Sequence, residues 1–322
     1  MGDATDDGMD DVGGDVGGDV GGDGSTMFEQ VVFAGGGHRC WWQAGFWEVV
    51  APATDLRPRV IAGVSAGAAT ACLLFANDAR TALAYYREAL KDNPRNVYPM
   101  NLLRPGRRVF PHNAIYRNAL RALLGGERFA RLMRDAPEIR VQFARIPRWL
   151  GPRSAVTLGI VGYNIEKYAR RSLHPSFGRA VGFRSEIARV QDCRSDEELV
   201  SLIIASSCTP PFTPIEYRDG RPTMDGGLVD NVPVDAVDPD GGPTLVLTTR
   251  RYPQHAPVFE LAGRVYVQPS RKVAASSWDY TSPDAYEQTW RQGCEDGEAF
   301  LRGFPSLRAG FAPSLDPAVG PA

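Results

Sequence analysis

The sequence is nearly devoid of lysine: Lys91, Lys167 and Lys272 are the only ones among its 36 basic residues. It also lacks any C-x-x-C pair. Its five cysteines, Cys40, Cys72, Cys193, Cys208 and Cys294, are odd in number and widely spaced. That pattern argues against a disulfide framework or a zinc site and for a reducing compartment. No apolar run approaches the ~18 residues of a membrane-spanning helix. No basic-plus-apolar leader precedes the first folded segment. Together these absences predict a cytoplasmic protein whose contact with membranes, where it occurs, is peripheral.

The formal charge of −2 hides an asymmetry. Residues 1–26 carry eight aspartates and no basic residue, and repeat Asp-Val-Gly-Gly from Asp11, Asp15 and Asp19. Acidic, glycine-rich and short of large apolar side chains, this stretch reads as a disordered tail. Its four-residue aspartate spacing fits neither an EF-hand loop nor a nonapeptide calcium repeat. Residues 87–153 are the opposite, with 15 basic residues against five acidic ones. They read first as a solvated arginine-rich surface, and no nucleic-acid partner is expected. Arg104, Arg107 and Arg108 nevertheless stand beside Leu102, Leu103, Val109 and Phe110. Cationic and apolar groups so mixed suit an anionic bilayer, with the acidic tail competing for the same arginines.

Folded structure is expected from residue 27 to about 304, ahead of a loosely held Pro-rich end over 305–322. Residues 28–34 read as a buried strand and 41–50 as a largely buried helix. A second strand and helix follow over 59–76, and a third helix over 79–91. This β-α-β-α order predicts an α/β fold of three layers, α/β/α, with a mainly parallel central sheet. Further helices are expected over 113–124 and near 284–300, and one at 199–206 behind the capping box at Ser195. Strands are expected over 138–143, 155–163, 244–249 and 264–267. Asp219-Gly220 joins two more, 215–218 and 221–224, into a hairpin.

Three stretches carry chemistry. Gly63-Val64-Ser65-Ala66-Gly67 lies between a β-branched run and an alanine-rich run, the setting of a nucleophile elbow. Gly63 and Gly67 flank the serine because side chains there would collide with strand and helix. Gly35-Gly36-Gly37 follows the first strand, where bare backbone N–H groups either cradle a pyrophosphate or stabilise an oxyanion. The dinucleotide fingerprint needs a glycine where Cys40 stands, and Asp55 falls in a turn rather than at a strand end, which disfavours the nucleotide. Asp225-Gly226-Gly227 leaves an accessible carboxylate after the hairpin, although Asp-Gly is also an ordinary turn.

Taken together, a G-G-G-x-R loop, G-x-S-x-G about thirty residues on, Ala205-Ser206-Ser207-Cys208-Thr209-Pro210-Pro211-Phe212, then D-G-G and Asn231-Val232-Pro233 resemble the patatin-like phospholipase family over roughly residues 28–300. The resemblance implies a lipid acyl hydrolase of phospholipase A or lysophospholipase type, with a Ser–Asp dyad and no histidine. Ser65 would be the nucleophile and Asp225 the base. Gly35, Gly36, Gly37 and Arg39 would bind the oxyanion, and Gly63, Gly67, Gly226 and Gly227 would support the turns. Lipid ester is the expected substrate, and neither metal nor other cofactor is expected. Two rivals remain: a Ser-Asp-His esterase using His255, and a non-catalytic lipid-binding scaffold. The other histidines read as structural, His38 covering a helix start and His112 and His174 lying in loops.

Overall fold

The computed structural model describes residues 27–151, 154, 173–174 and 177–311. The acidic segment 1–26 and the strand expected over 155–163 lie outside the described residues, as does most of the Pro-rich end. Nine strands form one sheet among the described residues: β1 (Gln30–Phe33), β2 (Val60–Val64), β3 (Glu138–Arg145), β4 (Arg184–Arg189), β5 (Glu216–Arg218), β6 (Arg221–Asp225), β7 (Thr244–Leu247), β8 (Val258–Leu261) and β9 (Arg264–Val267). The hydrogen-bonded order is β5-β6-β3-β2-β1-β7-β9-β8, with β4 also on β3. The centre is parallel, β3-β2-β1-β7-β9, and the flanks are antiparallel. This is the mixed α/β fold with a mostly parallel sheet that the element order implied.

Strand alternation divides the core. Val31, Phe33, Ile61, Leu245 and Leu247 point into a large cluster built with helices α1 (Trp41–Ala53), α2 (Ala66–Ala76), α3 (Ala79–Leu90), α4 (His112–Leu124) and α5 (Glu127–Asp135). After the short α6 (Phe177–Ala180), α7 (Asp196–Ser206) and α8 (Pro283–Phe311) complete that layer. Val32, Ala34, Val60, Ala62 and Val246 point the other way, onto Val232, Val234, Val237 and Tyr252. Two indole N–H groups lock α1 to α8: Trp42 Nε1 donates to Asp296 at 2.7 Å, and Trp290 Nε1 to Glu48 at 2.9 Å.

Local chemistry explains most boundaries. Ser195 Oγ accepts from the Glu198 N–H at 3.2 Å, while the Glu198 carboxylate reaches Arg194 N–H at 2.7 Å, one residue earlier than a standard capping box. The hairpin turns at Asp219 and Gly220, both at positive φ (52° and 68°), as a two-residue primed turn requires. Strands β4 and β8 were not anticipated. β4 is largely exposed, so its sequence Arg-Ser-Glu-Ile-Ala-Arg shows no buried stripe. β8 turns into β9 through Ala262 at φ 50°, where alanine gives no warning of a left-handed residue. Helix α8 continues to Phe311, through the boundary expected at residue 304.

Candidate active site

β3 acts as the ruler of the site. Along one edge β2 pairs with it as far as Val64 opposite Gln142. There β2 ends and the chain turns away at Ser65. β4 occupies the other edge of β3 over Arg140–Arg145, so β6 takes up the edge that β2 vacates, with Asp225 opposite Phe143. Ser65 and Asp225 therefore follow neighbouring positions on one strand. The Ser65 hydroxyl donates to Asp225 Oδ2 at 2.7 Å.

Each partner is fixed independently. Ser65 adopts φ 54°, ψ −134°, a conformation costing about 1–3 kcal/mol for a residue other than glycine. Its N–H donates to Ser206 Oγ at 2.7 Å, whose own hydroxyl donates to the Gln142 carbonyl at 2.6 Å. The flanking glycines are sterically required. A Cβ on Gly63 would stand 2.7 Å from Ala68 Cα, and one on Gly67 would stand 2.5 Å from the Phe33 and Ala34 carbonyls. Asp225 Oδ1 accepts from Gly227 N–H at 2.7 Å, and the Asp225 N–H donates to the Cys208 carbonyl at 2.7 Å. Gly226 lies against the Gln142 carbonyl, where a Cβ would come within 2.6 Å.

The carboxylate keeps some access, but desolvation dominates its surroundings. Burial pushes Asp225 up to about 6, against hydrogen bonds from Ser65, Gly227 and Thr209 that favour the charged form. A carboxylate so tuned is a competent proton acceptor near neutral pH. No imidazole stands between it and the serine. His255 instead stacks on Phe259 at 4.2 Å, at the β8 edge. His38 is buried among aromatic rings, stacked on Tyr286 at 4.1 Å, and desolvation lowers it to about 3. His112 Nε2 lies 3.0 Å from the Trp278 carbonyl. His174 is also engaged, its Nδ1 being 3.0 Å from Asp230.

The glycine loop divides its labour. Gly35 is tied down on both sides: its N–H donates to the Asn231 carbonyl at 3.0 Å, while its carbonyl accepts from Asn231 Nδ2 and Thr249 Oγ1 at 3.0 and 2.6 Å. Its N–H is thus unavailable to an oxyanion, which corrects the expectation for that residue. Among the described residues nothing accepts from the N–H groups of Gly36 and Gly37. Gly37 has φ 58°, and a Cβ there would come within 2.1 Å of the Ser277 carbonyl. Arg39 spends its backbone N–H on the Gly36 carbonyl at 3.3 Å. Cys40, where the dinucleotide pattern would have glycine, points its thiol at the Ala34 carbonyl at 3.7 Å, and burial raises it to about 12.

An apolar cavity opens at Ser65, with about 840 Å³ of unfilled space counting its open mouth. Ala66, Ala69, Thr70, Leu73 and Leu74 line it, one face of α2 at helical spacing, and run about 12 Å from the serine. Small residues stand near Ser65 and larger ones at the far end. Trp41 is both buried and part of the cavity wall. Among the described residues no group of three or more His, Cys, Asp or Glu side chains could hold a metal ion.

Four supporting residues escaped the sequence analysis: Ser206, Asn231, Thr249 and Gln142. Ser206 and Asn231 fall inside recognisable motifs without an assigned task. Gln142 offered a faint signal, an amide inside the apolar run of β3.

No curated protein sequence matches the chain. Among solved structures it is similar to VipD from Legionella pneumophila, with a TM-score of 0.42 and 10% identity over 86% of this chain and 67% of that one. It is also similar to human GIVD cytosolic phospholipase A2, with a TM-score of 0.44 and 11% identity over 88% of this chain and 63% of that one. The chain thus spans about two thirds of the length of each. A sequence model of the family "Patatin-like phospholipase" matches residues 31–238, from the first strand through the glycine loop, the serine elbow and Asp225. The match covers well over half of the chain, which therefore belongs to the patatin-like phospholipase family.

Proposed function

We propose that the protein hydrolyses carboxylic esters of lipids, as a phospholipase A or lysophospholipase, through an acyl-enzyme on Ser65. The observation that carries this reading is the 2.7 Å hydrogen bond from Ser65 Oγ to Asp225 Oδ2 at the mouth of an apolar cavity. An acyl chain lies along the α2 face of the cavity, which brings its carbonyl to the serine. Ser65 Oγ attacks the carbonyl carbon as its proton passes to Asp225 Oδ2. The carbonyl oxygen, now an oxyanion, takes hydrogen bonds from the Gly36 and Gly37 N–H groups, with Gly35 fixing the loop. Asp225 then returns the proton to the departing alcohol as the C–O bond breaks. A water molecule, deprotonated by Asp225, attacks the acyl-enzyme, and the same steps release the fatty acid and restore Ser65.

Domain assignment follows the same reading, with the end moved from 304 to the end of α8: the hydrolase runs from residue 27 through Phe311. A fluorophosphonate probe tests the serine chemistry. Labelling should occur on Ser65 and disappear in Ser65→Ala, whereas absence of labelling in the native protein would leave only a binding scaffold. Turnover of phospholipids, lysolipids, acylglycerols and p-nitrophenyl esters then identifies the substrate class.

A further inference from the structure

Two groups stand out among the described arginines of segment 87–153, with Arg148 exposed and outside both. Those on the helices and β3 are mostly ion-paired: Arg87 with Asp284 and Glu287, Arg117 with Glu216, Arg121 with Glu197, Arg134 with Asp135, Arg140 with Glu138 and Asp238, and Arg145 with Glu186 and Asp219. Arg95, Arg104, Arg107 and Arg108 are exposed, and none has an acidic partner among the described residues. They share one loop, residues 93–111, that contains no acidic residue. The same loop carries three strongly exposed large apolar side chains, Leu102 and Leu103 at 77% and Met100 at 66%; outside it in the segment Trp149 stands at 72%.

The loop has a defined shape. Tyr98 N–H donates to the Val109 carbonyl at 2.9 Å, and Asn101 Nδ2 donates to the Arg108 carbonyl at 2.7 Å. A single 3₁₀ turn, Pro99–Leu103, forms its tip. Its base is anchored to the cavity rim. Asn96 Nδ2 donates to Asp279 at 3.1 Å, Asn96 Oδ1 accepts from the Tyr280 N–H at 2.8 Å, and Phe110 packs edge-on against Phe212 at 5.3 Å. Phe212 in turn stacks on Trp278, which lines the cavity with Tyr280. Val109 and Phe110 are half-buried, Phe110 against Phe212, whereas the apolar surface offered to solvent consists chiefly of Met100, Leu102 and Leu103, with Val97 at 40%.

We propose that the 3₁₀ tip at Pro99–Leu103 is a membrane wedge: Met100, Leu102 and Leu103 enter the acyl region of an anionic bilayer while Arg95, Arg104, Arg107 and Arg108 bind its lipid phosphates. Apolar side chains already 66–77% exposed gain burial only from a partner outside the described chain. Unpaired guanidinium groups around them select a negatively charged one, and a leaflet supplies both requirements at once. Docking there places the cavity rim at the lipid surface. The inference goes beyond the hydrolase reading and does not depend on it.

Co-sedimentation of the full chain with phosphatidylcholine vesicles, with and without phosphatidylglycerol, tests it. Binding should rise with phosphatidylglycerol and fall as salt is added. Replacing Arg104, Arg107 and Arg108 together by Gln should weaken binding on the order of 10²-fold at low salt, since each contributes about fivefold near an anionic surface. Leu102→Ser with Leu103→Ser should weaken it at least tenfold at every salt concentration. Arg121→Gln with Arg134→Gln, on α4 and α5, is the control and should leave binding within twofold. Thermal melting confirms that each variant folds. Binding indifferent to phosphatidylglycerol, unchanged by the loop substitutions, or equally reduced by the helix control would overturn the wedge. A loop that instead seats a protein partner would give the second of these outcomes.

Discussion

The floor of the cavity and its rim are built on opposite principles. At the floor, Ser65 and Asp225 are held by backbone groups and buried hydroxyls, so their separation is set before any substrate arrives. At the rim, the loop 93–111 is fixed through its backbone, while its apolar and cationic side chains touch little. On the proposed mechanism, preorganisation at the floor means that no reorganisation is needed as charge develops. Side chains at the rim that have no partner among the described residues keep their interaction energy for something beyond those residues. The difference separates chemistry from access, and substitutions can be sorted by which of the two they disturb.

Ser65→Ala and Asp225→Asn should be the most damaging, lowering turnover of every ester on the order of 10⁴-fold or more, soluble or membrane-bound. Residual activity near native in either variant would remove the dyad. His255→Ala should leave rates unchanged, because its ring packs on Phe259. Gly36→Ala comes next, with a loss of about 10²–10³ in kcat. The added Cβ would stand 2.3 Å from Thr249 Oγ1 and, on the proposed mechanism, push one oxyanion donor aside.

The acid limb of the rate profile is a subtler test of the floor. Asp225 must be ionised to accept the proton, so kcat/KM should rise tenfold per pH unit below about 6 and level off above it. The same shift has a thermodynamic sign. A carboxyl whose native value lies above its unfolded value stabilises the fold while protonated in both states, and that contribution is lost between about pH 4 and 6. Asp225→Asn lacks this loss, so its melting temperature should exceed that of the native protein at pH 8, with the gap narrowing at pH 4. His38, lowered to about 3, has the opposite sign but is common to both proteins and cancels in the difference.

The smallest effect belongs to the cavity wall. Leu73→Phe, at the far end of the α2 stripe, should move the preference among p-nitrophenyl esters toward shorter acyl chains by roughly tenfold or less. An unchanged chain-length profile would mean that the acyl group does not follow α2.

Sequence reached the floor more readily than its supports. G-x-S-x-G dictates its own turn, because a serine at φ 54° between a strand and a helix tolerates only glycine on either side. The Asp-Gly turn of the hairpin was equally legible. Ser206, Thr249 and Gln142 were not, because a buried hydroxyl or amide gains its meaning from whichever backbone group the fold sets opposite it. The membrane-facing reading of segment 87–153 shows the same limit. Composition marked the whole stretch as basic, while the ion pairs that neutralise Arg117, Arg121 and Arg145 come from acids far away in the chain, as does one of the two that hold Arg140.

By itself, then, the sequence determined the local geometry: the strained elbow, the bare glycine loop, the parallel order of the first strands and the family to which they point. These follow from steric rules that act within a few residues. The tertiary structure alone decided which of three adjacent glycine N–H groups is spent on Asn231, and it brought Asp225 up beside Ser65. It also decided which arginines remain unpaired among the described residues. Each of those depends on contacts between residues far apart in the chain, above all on β3 carrying β2 and β6 end to end along a single edge.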